Sequence, residues 1–178
     1  MKYTLQDNVT TIDGSSFASE ASPMISITIP DTITSIGSGA FSGRSSLEYV
    51  RIPNSVTSIG GGAFSGCTKL TSIEFPSSLT SISGGVFNSL LSIHIPSTLT
   101  SIDPGAFQGC GNLTSITVDP NNPVYDSRDN CNAIIETATN TLIRGCKNTI
   151  IPDGITSILA AFNNCRDITS VGPSGSGA

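Results

Sequence analysis

The chain contains no tryptophan and a single histidine, His94, so any Ser-His-Asp or Cys-His device must pass through one side chain. Charged residues make up 12% of the 178 positions, roughly half the ~25% of an ordinary globular protein, and they form no run of one sign. The formal net charge of -5 argues against a nucleic-acid partner, because phosphate binding needs clustered Lys and Arg. No apolar stretch approaches the ~20 residues of a membrane-spanning helix. The opening residues, MKYTLQDNVTTI, lack the apolar core of a secretory signal. Taken alone, that points to a cytoplasmic chain or to an excised or mature piece of a longer one. Five cysteines show no C-x2-C spacing and no partner histidines, so a zinc site is not expected.

What the chain has instead is repetition. Phe41, Phe64, Phe87 and Phe107 follow one another at steps of 23, 23 and 20 residues, and Pro30, Pro53, Pro76, Pro96 and Pro120 keep nearly the same step. Thr-Ser-Ile recurs at Thr34–Ile36, Thr57–Ile59, Thr80–Ile82, Thr100–Ile102 and Thr156–Ile158, with Thr-Thr-Ile at Thr10–Ile12. One unit reads L-x-x-I-x-I-P-x-x-V-T-S-I-G-x-G-A-F-x-G-C-x-x, most completely from Leu47 to Lys69. A period of 20 to 50 residues is the signature of a solenoid.

Each slot has a physical reading. Leu70, Ile73 and Phe75 have the spacing of a short strand with its apolar side inward. Pro76 ends it, since proline cannot donate to a ladder. Leu79 and Ile82 return the chain to the interior, and Gly60–Gly62 permits the tight corner of the neighbouring unit. Phe17, Phe41, Phe64, Phe87, Phe107 and Phe162 are expected to form one internal stack, because a single coil buries its apolar edge only against its neighbours, about 4.8 Å away. The Thr of Thr-Ser-Ile should form an exposed ladder, read as β-propensity and solubility rather than as an ice-binding surface.

Three irregularities interrupt the pattern. The unit around Phe87 lacks three residues before Leu90, and the last corner is Leu159-Ala160-Ala161 rather than glycine-rich. Residues 119–151 replace the usual return segment; Ala133–Ile135 and Leu142–Ile143 flank the turn-prone Thr137–Asn140, which predicts an inserted β-hairpin. Folding it about Ala138–Thr139 sets Ile134 opposite Ile143 and Cys131 opposite Cys146. A disulfide joining Cys131 and Cys146 is one reading of that pair, two free thiols the other. Cys67, Cys110 and Cys165 share one slot, three residues after the Phe, and read as small buried packing groups. Asp119, Asp126 and Asp129 lack the calcium-loop spacing and read as turn chemistry. No metal or cofactor is expected.

The repeat unit resembles the BspA-like leucine-rich repeats of bacterial surface proteins, and residues 119–151 resemble the irregular coil found within such arrays. The resemblance implies a repeat solenoid, mainly β: a leucine-rich-repeat right-handed coil of about six units with an inserted β-hairpin, forming one domain over residues 1–173 and followed by a flexible tail or linker at 174–178. It also implies cell-surface or secreted placement and a role in adhesion, with no catalytic residues.

On a solenoid the strand-bearing concave face is the usual binding surface. Its outward positions vary from unit to unit while the apolar slots repeat. One row runs Thr28, Arg51, Glu74, His94, Thr117 and the row before it Ser26, Tyr49, Ser72, Ser92, Ser115. Tyr49, Arg51, Glu74 and His94, flanked by Thr28 and Thr117, are therefore the candidate binding residues for a protein or glycan partner, since Tyr and Arg are enriched at hot spots. A solvated strand face is the plainer alternative, and a structural spacer the competing function. A polysaccharide-acting solenoid enzyme is disfavoured by the lack of a carboxylate pair. The array begins inside a coil at Tyr3–Leu5 and stops after Ile168–Val171; uncapped coil edges predict a trimmed fragment or self-association through the exposed ladder.

Overall fold

The computed structural model describes residues 2–5, 8–17, 23–158 and 160–165. Leu159, the Ile168–Val171 stop and the 174–178 tail lie outside the described residues. The strands are short: β1 (Lys2–Thr4), β2 (Ser26–Thr28), β3 (Ser35–Ile36), β4 (Tyr49–Arg51), β5 (Ser58–Ile59), β6 (Ser81–Ile82), β7 (Ser92–Ile95), β8 (Ser101–Ile102), β9 (Ser115–Val118), β10 (Tyr125–Asp126), β11 (Ala133–Glu136), β12 (Thr141–Gly145) and β13 (Ser157–Ile158). Among the described residues no helix is long and apolar enough to cross a membrane.

The repeat slots become stacked parallel ladders. On one face β1, β2 and β4 pair in register, as do β7 and β9 further along. On a second face the Ser-Ile pairs of β3, β5, β6 and β8 align Ile36, Ile59, Ile82 and Ile102. Between the faces four of the repeat prolines start a tight turn: the carbonyls of Pro30, Pro53, Pro76 and Pro96 accept from the N–H groups of Ile33, Val56, Leu79 and Leu99, whereas at Pro120 the turn starts from the Asp119 carbonyl. The exposed threonines turn their hydroxyls back onto the preceding coil, Thr57 to the Thr34 carbonyl and Thr80 to that of Thr57. Two glycines of the corner are needed for different reasons. Gly62 holds φ at +66°, and a Cβ on Gly60 would stand 2.7 Å from the Ser38 nitrogen.

Inside, Phe17, Phe41, Phe64, Phe87 and Phe107 stack with centroids 5.1, 5.1, 5.4 and 5.7 Å apart. These distances follow the coil rise, so the rings are held in nearly parallel contact by the backbone ladders themselves. Phe162 departs from the expected stack. It is half-buried, sits in a second, smaller cluster with Cys131, Ala133, Ile135, Leu142 and Ala161, and lies on the backbone of Gly145, where a Cβ would come within 2.3 Å of its ring.

Arg144 is buried in the same stretch. This side chain is 2% exposed and spans the layer between the Phe107 and Phe162 coils. Its Nη2 donates to the Cys110 carbonyl at 3.0 Å and its Nη1 to that of Asn163 at 2.9 Å. The hairpin register differs from expectation for the same stretch. Ile135 faces Leu142, but a bulge then sets Ile134 opposite Arg144, not the expected Ile143, and Ala133 opposite Gly145. Cys131 and Cys146 consequently separate. Cys131 joins the small cluster, Cys146 joins the main core with Ile134 and Ile143, and both are free thiols. The Cys146 thiol donates to the Asn132 carbonyl instead.

LTSIEF, residues 70–75, also departs from its expected strand. The segment is not a strand, and Ile73 and Phe75 are only half-buried. Phe75 holds a slot filled by Ile29, Ile52, Ile95 and Val118 elsewhere, and its ring tilts at 54° against Phe87, 5.8 Å away. A phenyl is larger than the isoleucine or valine of the other coils, and at this coil the strand pairing of the face is interrupted, although the Leu91 N–H still donates to the Thr71 carbonyl.

The shared cysteine slot does more than fill space. The Cys67 thiol donates to the Phe41 carbonyl at 3.1 Å, and Arg44, which occupies this slot in the preceding coil, donates through Nη2 to the Phe17 carbonyl at 2.8 Å. The slot supplies a donor to the coil before. Burial pushes the Cys67 and Cys110 thiols up to about 11, so both stay protonated at neutral pH. The unfolded thiols ionise near 9, whereas the folded ones resist until about 11. Their contribution is therefore complete below pH 9 and lost as pH rises through 11. The expected result is a fall in melting temperature between pH 9 and 11 that is shallower in the Cys67→Ser/Cys110→Ser protein, by an amount equivalent to about 1–2 kcal/mol per thiol. Parallel pH curves for the two proteins would overturn it.

Candidate ligand-binding face

The face carrying β1, β2, β4, β7 and β9 presents the sequence-derived candidates, but in two parts. On the first three strands, register aligns Lys2, Ser26 and Tyr49 in one row and Thr4, Thr28 and Arg51 in the next. Arg51 is exposed, Thr28 half-buried, and Tyr49 is 55% exposed, an unusual amount for a large ring on a strand. Lys2 and Thr4 extend these rows by one coil and were not singled out from sequence. Their signal was present, since Lys2-Tyr3-Thr4-Leu5 repeats the x-I-x-I alternation with Tyr3 and Leu5 packed inward.

Thr28 and Arg51 share a groove of about 470 Å³ with Thr4 and Asp31. Arg51 makes no ion pair there. The ion pairs among the described residues are Lys69–Glu48 at 3.2 Å and Arg128–Asp126 at 2.7 Å. Glu74 is exposed on the 71–75 segment, which is not a strand, so the structure does not place it on a common sheet with Arg51. Beyond the break, β7 and β9 bring His94 and Thr117 together, with Nδ1 and Oγ1 2.9 Å apart and both side chains exposed.

The irregular coil adds a feature with no counterpart in the regular units. Where β9 meets residues 127–132 lies a pocket of about 240 Å³, lined by Ile116, Thr117, Val118, Ser127, Asn130 and Asn132. Asn132 closes one side: its Oδ1 accepts from the Ile116 N–H at 2.6 Å and its Nδ2 donates to the Thr114 carbonyl at 3.0 Å. A neighbouring substitution of the same type caps the other face, where the Ile102 N–H donates to the Tyr125 hydroxyl at 3.0 Å. Asp119 and Asp126 serve locally, Asp119 accepting from the Asn121 N–H and Asp126 binding the Arg128 guanidinium through both oxygens. Among the described residues no three His, Cys, Asp or Glu side chains gather around a metal-sized site.

Comparison with known proteins follows the same architecture. A family model described as a BspA type leucine rich repeat region matches six copies over residues 10–135. Among solved structures, the T. pallidum leucine-rich repeat protein TpLRR superposes with a TM-score of 0.68 at 22% identity, over 96% of this chain and 84% of that one. The pneumococcal vaccine antigen PcpA gives 0.69 at 19% identity, over 97% of this chain and 56% of its own. A leucine-rich repeat protein from Eubacterium ventriosum gives 0.64 at 22% identity, over 84% and 47%. At these identities the likeness is one of fold. No curated protein sequence matches the chain. The ring stack, the proline turns and the paired Ser-Ile ladders are thus the structural form of six successive matched units, and the chain belongs to the BspA-type leucine-rich-repeat family.

Proposed function

We propose that the chain is a non-catalytic binding module of a bacterial cell-surface or secreted protein, which engages a protein or glycan through its strand face. The observation that carries this reading is the division of labour among slots. Interior positions repeat nearly unchanged from coil to coil, whereas the row Thr4, Thr28, Arg51, Glu74, His94, Thr117 and the adjacent Tyr49 differ at almost every step. A spacer needs only the first property. Surface association is supported by the family and by the likeness to a pneumococcal vaccine antigen.

The test is adhesion of cells displaying the chain to immobilised extracellular-matrix proteins and glycans. The Tyr49→Ala/Arg51→Ala/Glu74→Ala/His94→Ala protein is expected to lose at least tenfold in adhesion with little change in melting temperature, because all four side chains are exposed. Adhesion equal to that of the unaltered chain would favour a spacer.

A further inference from the structure

We infer that the pocket between β9 and residues 127–132 binds one neutral sugar ring, the exposed unit of a glycan. This inference rests on the proposed role of the strand face and names the class of ligand for one part of it.

The polar residues of the lining are Thr117, Ser127, Asn130 and Asn132, and no charged residue lines it. Asp129 and Arg128 are adjacent in sequence but do not line it. A charged ligand would find no counter-charge and would lose hydration on entry, while an apolar one would cover polar groups without pairing them. A polyhydroxylated neutral ring meets both requirements. The volume of about 240 Å³ lies below the ~300–1,000 Å³ of sites for larger ligands, which suits one ring rather than an oligosaccharide.

The polar groups are also divided into fixed and available ones. Asn132 is held by its two backbone hydrogen bonds, which makes it a rigid wall. Thr117 is oriented by His94. The Asn130 carboxamide is exposed and has no partner among the described residues. The backbone supplies another donor. Ser115 and Asp119 donate toward β7, to Leu91 and Ile95, whereas Ile116 donates the opposite way, to Asn132. By the two-residue period of a strand the Val118 N–H points away from β7 as well, toward the pocket. An extended peptide could in principle use that edge, but Asn132 already occupies the rung at Ile116, which leaves too little free ladder to seat a strand.

The experiment titrates the chain with galactose, mannose, glucose and N-acetylglucosamine. Each is offered free and displayed on a polymer, with glucuronic acid and an extended-peptide library in parallel. Chemical shifts of the 115–132 backbone report the site. At least one neutral sugar is expected to move those resonances. Thr117→Val, which keeps the shape and removes the hydroxyl, and Asn130→Gly, which keeps the left-handed backbone at φ 53°, should each weaken binding at least tenfold with melting temperature preserved. A response to the free sugar shows that the ring suffices; a response only to the polymer assigns the site to glycan-borne units, and either supports the inference. No response to any neutral sugar, retention of binding in both variants, or preference for glucuronic acid or peptide would overturn it. If it fails while the four-alanine protein still loses adhesion, the strand-face reading survives. If adhesion is also unaffected, both fall together.

Discussion

Replacing Arg144 with alanine is expected to lower stability by about 3–5 kcal/mol. The guanidinium is 2% exposed and pairs with no carboxylate among the described residues. What holds it is a pair of carbonyls, Cys110 on the coil before and Asn163 on the coil after, so it pins the coil of residues 160–165 to the body of the array. Removing it leaves the buried Cys110 carbonyl unmet, a loss of roughly 1–3 kcal/mol, strips the less buried Asn163 carbonyl of its donor, and leaves a cavity in place of a large buried side chain. Arg144→Met should fall between the two proteins. It fills the space and removes a desolvated cation, but supplies no donor. Denaturant titration gives the ranking, and hydrogen exchange gives the location: amides of 151–165 should lose protection before those of 47–102. An alanine protein within 1 kcal/mol of the parent would show that the guanidinium holds nothing.

The second large effect separates rings that look equivalent in sequence. Phe64→Ala is expected to cost about 3–5 kcal/mol. Phe64 is 1% exposed and stacked on both sides, at 5.1 and 5.4 Å, so its loss removes contacts to two coils at once. Because each coil touches only its neighbours, a gap at this position should also loosen the coupling between the two halves of the array, broadening the unfolding transition. Phe162→Ala should cost roughly half as much, since the ring is half-buried and rests on Gly145 rather than on another phenylalanine. Equal losses would contradict the separation of Phe162 from the stack.

The repeat made most of the architecture legible. Prolines marked the turns, Thr-Ser-Ile marked the second ladder, and five of six phenylalanines sit where the period put them. The departures arise where side-chain size or charge overrides spacing. LTSIEF has the periodicity of a strand, but period is blind to the bulk of Phe75, and no strand forms there. In the hairpin, nothing in the spacing marks Arg144 as interior, since arginine is seldom buried without a charged partner. Here it turns in, and the bulge that accompanies it shifts Ala133 and Ile134 by one residue and parts Cys131 from Cys146. The candidate rows on β1 to β9 were readable from unit-to-unit comparison. Ser127, Asn130 and Asn132 were not, because residues 119–151 have no second unit to be compared with.

The phenol of Tyr125 and the carboxamide of Asn132 meet N–H groups that another coil's carbonyls would otherwise accept. A sheet finished in this way no longer offers those rungs to a stranger. At those two positions the coils before 119–151 are closed by side chains, so the irregular segment does not leave them open for separate molecules to splice onto.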